Sequence, residues 1–151
     1  MLPERYEFKR ARNARQYEFY SEGPKGRIRK VVLYSYIGTS NGRNNYNLGF
    51  GDYDPKKDEI LDLIISNNKD QDKILATVAA TALDFADGHP GCGILFRGST
   101  PARTRLYQMN IVRHYEEIIK AFDFQCLTEG AEWVGFARGE NYMGFFFFQK
   151  K

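Results

Sequence analysis

The dipeptide Asn41-Gly42 constrains the fold of this chain more than any other local feature. It suits the two-residue turn of a β-hairpin, and stretches of strand character lie on both sides of it. Before it, Val31-Val32-Leu33-Tyr34-Ser35-Tyr36-Ile37 is rich in β-branched and aromatic residues. After it, Tyr46, Leu48 and Phe50 alternate with Asn45, Asn47, Gly49 and Gly51, which is the period of a strand with one buried face. Gln16 to Tyr20 reads as an earlier strand, separated from Val31 by the turn Gly23-Pro24-Lys25-Gly26, and Ile60 to Ile65 as a later one. The expectation is an antiparallel meander of four strands.

The pattern then becomes helical. Ile74, Leu75, Val78, Ala82 and Phe85 recur at three- and four-residue steps, and Asp70 or Asp72 precedes them as a cap. Gly88-His89-Pro90-Gly91 ends the helix, and Gly93-Ile94-Leu95-Phe96 reads as a short buried strand. Ser99 or Thr100 followed by Pro101 opens a second helix, because a hydroxyl cap followed by proline is a helix start. Val112 to Phe122 makes a further helical stretch. Trp133 to Phe136 and Tyr142 to Phe148 are expected to form a C-terminal hairpin. The order is that of an α+β protein with helices packed on one mixed sheet.

At 151 residues, 42% hydrophobic and 15% aromatic, the chain is expected to form one domain over residues 1–151 with a real core. No apolar run approaches the roughly 20 residues of a membrane span. Cys92 and Cys126 have no cysteine near them, and there are only two histidines, His89 and His114. Neither a disulfide framework nor a metal site is expected, nor any cofactor, and the location expected is the cytoplasm.

Charge is distributed unevenly. Residues 1–50 carry +6, residues 51–100 carry −4 and residues 101–151 carry +1. Such polarity steers an anionic ligand even when the total is only +3. Two places concentrate it. The first is the strand-to-helix turn, where Arg97, Ser99, Thr100, Arg103 and Arg105 surround a helix N-terminus with guanidinium and hydroxyl groups. Unpaired amides, the positive end of the helix dipole and bidentate arginines all favour phosphate there. The second is the basic N-terminal third, where Arg10, Arg12, Arg15, Lys25, Arg27, Arg29 and Lys30 are interleaved with tyrosine and phenylalanine. Cations among aromatics suit single-stranded nucleic acid. Alternation alone also explains this pattern, with rings facing inward and charges outward.

Ser21-Glu22-Gly23-Pro24-Lys25-Gly26, Asn47-Leu48-Gly49-Phe50-Gly51-Asp52, Asp72-Lys73-Ile74-Leu75-Ala76-Thr77-Val78-Ala79 and Gly98-Ser99-Thr100-Pro101-Ala102-Arg103-Thr104-Arg105-Leu106-Tyr107 resemble an uncharacterised bacterial domain family of similar length. At the level of fold, the order of strand, long helix, strand and a helix holding Ala102 and Leu106-Tyr107 is similar to the second half of Gcn5-related acetyltransferases. That resemblance implies coenzyme A as a ligand and Tyr107 as a general acid. The residues themselves point first to a non-enzymatic domain binding a phosphate-bearing ligand, nucleic acid or nucleotide. An acyl-CoA-dependent N-acyltransferase is the second reading. A protein–protein module, such as a homodimer through a sheet edge, is the third.

Overall fold

The computed structural model describes residues 4–57, 59–61, 69–98 and 100–150. Its elements in chain order are β1 (Lys9–Arg10), β2 (Gln16–Gly23), β3 (Gly26–Ser40), β4 (Arg43–Asp54), β5 (Glu59–Leu61), α1 (Gln71–Gly88), β6 (Gly93–Phe96), α2 (Pro101–Arg113), α3 (Tyr115–Ala121), β7 (Phe122–Leu127), β8 (Trp133–Val134) and β9 (Gly144–Gln149). The fold is α+β with one mixed sheet. Its strands follow the hydrogen-bonded order β1-β2-β3-β4-β6-β9-β7-β8, with β5 paired to β4. The expected strand at Ile60 to Ile65 is present as β5 through Leu61, and residues 62–65 lie outside the described residues.

The chain forms two compact units, residues up to 35 with 49–88, and residues 36–48 with 89–151, so that β3 and β4 contribute to both. In the first, β2 pairs antiparallel with β3 from Gln16↔Leu33 to Gly23↔Gly26. Tyr17, Phe19, Val31, Val32 and Tyr34 from these strands are buried, as are Ile74, Leu75, Val78 and Phe85 of α1. Tyr34 stacks on Phe85 with ring centroids 4.2 Å apart, and its hydroxyl meets that of Thr81 at 2.9 Å. Lys30 of β3, 5% exposed, forms a buried ion pair with Asp52 of β4 in this unit. The expected cap at Asp70 takes a different form. Its Oδ2 accepts from the hydroxyls of Tyr6 at 2.6 Å and Ser21 at 2.5 Å, so the carboxylate ties the N-terminal segment and β2 to the start of α1.

In the second unit β4 and β6 run parallel, from Asn45↔Gly93 to Leu48↔Phe96. On its other side β6 pairs antiparallel with β9, which in turn pairs with β7. The C-terminal hairpin is therefore arranged differently from the sequence expectation. β8 pairs with β7, and β9 inserts between β6 and β7 instead of pairing with β8. The phenylalanine run explains this. Phe145 is fully buried and Phe146 to Phe148 partly so, and a strand this apolar gains more between two neighbours than at an edge. The second helical stretch is also shorter than expected, because the chain breaks at His114, with φ −111° and ψ 21°, and α3 starts only after it.

Both cysteines are free and buried. Burial pushes the thiols of Cys92 and Cys126 up to about 11. Burial also raises Tyr17 and Tyr6, helped in each case by a hydrogen bond to a carboxylate, Asp84 and Asp70 respectively. All four groups hold their protons more tightly folded than unfolded. Stability is therefore complete below the ordinary thiol value of 9.0 and falls as pH rises from there through about 11. Melting temperature is expected to decline steadily over that window. At pH 8 a thiol reagent should label neither cysteine until denaturant is added. Rapid labelling of the native chain would contradict this burial.

Candidate anion-binding site

The site begins where β6 ends. Thr100, with extended backbone at φ −135° and ψ 158°, caps α2: its Oγ1 accepts from the Arg103 N–H at 3.2 Å, and Pro101 takes the first helical position. Thr104 binds the corner together, its Oγ1 accepting from the Gly98 N–H at 3.0 Å and donating to the Thr100 carbonyl at 3.1 Å. The hydroxyl-then-proline pattern thus gives the helix start read from the sequence. However, the amides of Gly98, Arg103 and Thr104 are taken up by these bonds and by the Thr104 N–H to Thr100 carbonyl contact at 3.0 Å. Side-chain charge, more than bare backbone, is what the corner has left to offer.

That charge is uncompensated. Arg103 is only 9% exposed, yet among the described residues its guanidinium has no ion pair or hydrogen bond; the same holds for Arg97 and Arg105. Buried arginines ordinarily have a carboxylate partner. Arg103 packs at its root against Gly98: a Cβ at Gly98 would lie 2.7 Å from the Arg103 Cβ and 2.6 Å from the Thr104 nitrogen. The side chain of Arg97 lies along Gly144, its Cβ 3.2 Å from where a side chain there would begin. Arg103 thus lies against Gly98 and Arg97 against Gly144. Arg105, two residues beyond Arg103, lies about 200° further around the helix and is exposed. Ser99 lies outside the described residues.

Sequence reasoning did not single out Asn110. Its Nδ2 is buried and has no hydrogen-bond partner. The spacing Arg103, Tyr107, Asn110 is i, i+4, i+7, which puts all three on one helix face, and this is the signal that would have found it. Between them Tyr107 is buried and stacks on Phe96 at 4.6 Å. The face of α2 turned inward thus carries Arg103, whose nitrogens reach solvent without a carboxylate, and the buried Asn110 Nδ2 with nothing to bond, about 10 Å apart along the axis.

The N-terminal cations are placed differently. Arg10 pairs with Asp84 at 3.2 Å, Arg29 with Glu18 at 2.6 Å, Arg27 with Glu22 at 4.0 Å, and Lys30 with Asp52. Arg27 and Arg29 also lie over the rings of Tyr20 and Tyr53. Arg12, Arg15 and Lys25 are exposed, and Arg15 and Lys25 have interactions of their own. Four of these seven cations are thus paired with carboxylates within the protein, and the rings expected to stack on bases are buried or covered.

Among the described residues no group of His, Cys, Asp or Glu side chains is arranged to hold a metal ion, and no helix is long and apolar enough to cross a membrane.

These features define an α+β domain with a basic corner between a central strand and a capped helix, without a carboxylate ion pair among the described residues. The chain belongs to the family described as Family of unknown function (DUF6934), whose model matches residues 3–150. No curated protein and no solved structure matches it.

Proposed function

We propose that this domain binds a phosphate-bearing ligand, a nucleotide or a nucleic-acid strand, at the β6–α2 corner, and that it binds without catalysing a reaction. Arg103 carries the reading. Its side chain is largely covered and meets no carboxylate among the described residues, while its guanidinium nitrogens still reach solvent, so an incoming anion finds an unmatched fork-shaped donor. Arg97, next to Gly98 in the chain, adds a second fork-shaped donor, and the N-terminus of α2 adds its dipole. Asn110 offers a further donor for a polar group deeper along the helix.

The acyltransferase reading draws on the succession of β4, α1, β6 and α2 and on Tyr107. Two aspartates, Asp70 and Asp72, stand at the start of α1, where a pyrophosphate would be repelled. The phosphate-binding reading is therefore preferred.

The experiment is a thermal-shift and titration series with inorganic phosphate, a nucleoside triphosphate, coenzyme A and a single-stranded oligonucleotide. Wild type is compared with Arg103→Met. A ligand at a hundred times its dissociation constant stabilises by about 2.7 kcal/mol. The variant should lose that shift while its unliganded form gains about 1 kcal/mol, the gain usual when a functional but locally costly group is replaced. If the variant is instead less stable and binds as wild type does, Arg103 is structural and the proposal fails. A shift with coenzyme A alone would favour the acyltransferase.

A further inference from the structure

We propose that the second unit binds a single-stranded nucleic acid on the sheet face turned away from α2 and α3, with unpaired bases lying against aromatic side chains. Both helices of this unit pack on the other face: Ile111 of α2 and Ile118 of α3 belong to a cluster with Cys126 and Phe145, and Tyr107 stacks on Phe96. Cross-strand partners project to the same side of a sheet. The registers therefore place Leu95 of β6, Phe146 and Phe148 of β9, Leu127 of β7 and Trp133 of β8 together on the opposite, outward face. None of these five is buried, and Trp133 is 42% exposed. The outward face of a half-covered sheet is ordinarily polar. Here it holds a connected aromatic cluster: Phe146 and Phe148 stack with ring centroids 4.7 Å apart, and Trp133 meets Phe146 edge to face at 5.7 Å. A contiguous apolar patch of this kind in water marks a binding surface.

What surrounds the rings selects the occupant. Arg43 lies over the Phe148 ring at 5.1 Å and donates to the Gly91 carbonyl, and Arg97 lies along Gly144. Those two contacts with β9 are four residues apart, so the cations meet it about 14 Å apart along the strand. Neither forms an ion pair among the described residues. Asn47 and Gln125, on the same face by register, add amides that both donate and accept. A single strand matches each part: bases meet the rings, phosphates the guanidinium groups and base edges the amides. A duplex hides its base faces and offers the rings nothing. A second copy of the chain, laid face to face about a two-fold axis, would set Arg43 and Arg97 against their own kind. Among the described residues the paired strands place one carboxylate on this face, Asp123, and Lys150 already stands 3.9 Å from it. The surface is separate from the corner, because Arg103 shares the buried face of α2 with Tyr107 and Ile111 on the other side of the sheet.

Trp133 is the single tryptophan of the chain, so intrinsic fluorescence reports this face directly. The test titrates the full chain with homopolymer single strands of DNA and RNA, and with a duplex. Single strands should quench Trp133 saturably, with an affinity that falls steeply as salt rises; the duplex should not. Trp133→Leu and Phe146→Leu should each weaken binding by about tenfold, followed by the anisotropy of a labelled single strand. Trp133→Leu, a surface change, should melt with wild type. Inorganic phosphate, the probe of the corner, should stabilise Trp133→Leu as it does wild type, so failure at one site is told from failure at the other. Unchanged Trp133 emission with every single strand, equal binding of the duplex, or wild-type affinity in Trp133→Leu would each overturn the proposal. A dimer in light scattering whose dissociation on dilution red-shifts Trp133 emission would give the face to a second copy, and would overturn it too.

Discussion

Replacing Asp52 with alanine is expected to cost the fold about 3–5 kcal/mol, measured as a drop in the urea midpoint with the slope unchanged. Asp52 holds the ammonium of Lys30, whose side chain is 6% exposed. Without the carboxylate, the protein keeps away from water a cation that has lost its charged partner Asp52. Replacing both partners, Lys30→Met with Asp52→Leu, removes the charge and its desolvation together. That double variant should return to within about 1 kcal/mol of wild type or exceed it. If Asp52→Ala proves neutral, the pair is solvated in solution and the first unit does not depend on it.

Lys30 also shows what was legible in the sequence. Along β3 it shares the parity of Val32 and Tyr34, both buried, while Arg27 and Arg29 fall on the opposite parity. Period-two reasoning could therefore have placed it inward, but counting it with its basic neighbours concealed that. The meander, the long helix and the turn at Thr100-Pro101 were readable because each rests on a local device: alternation, a 3.6-residue period, or a hydroxyl cap before proline. The insertion of β9 between β6 and β7 has no local device. It is decided by which neighbours best cover Phe145 to Phe148, a competition between segments far apart in the chain. The strand β7 was hidden for a related reason: Phe122 fits both the end of a helical period and the start of an alternating one, and only packing separates them. At the site, the chain named the arginines but not their partners. Arg103 and Arg105 look equivalent as letters, while the helix turns one inward and the other out.

The corner itself should be intolerant of a single methyl group. In Gly98→Ala the new Cβ would fall 2.6 Å from the Thr104 nitrogen and 2.9 Å from the Arg103 carbonyl carbon. Both are backbone atoms within a helix, so they cannot swing aside as a side-chain tip can. The end of β6 must instead move away from α2. That movement stretches the hydrogen bond from the Gly98 N–H to Thr104 Oγ1 and draws Arg97 and Arg103 apart. Overpacking of this kind costs about 1–3 kcal/mol, and a loosened buried hydrogen bond adds roughly 1 kcal/mol more. Gly88 supplies the control: it ends α1 with no positive φ, and a methyl group added there would meet nothing within 4 Å, so Gly88→Ala should be neutral or stabilise by up to about 1 kcal/mol. The comparison separates a general penalty for alanine from the close approach at the corner. It also bears on binding, because Gly98 fixes how Arg103 is held against the end of β6. Gly98→Ala should therefore lose the phosphate-induced thermal shift at temperatures where circular dichroism still reports a native fold. A Gly98→Ala protein that melts with wild type and keeps its shift would mean that strand and helix do not meet this closely in solution.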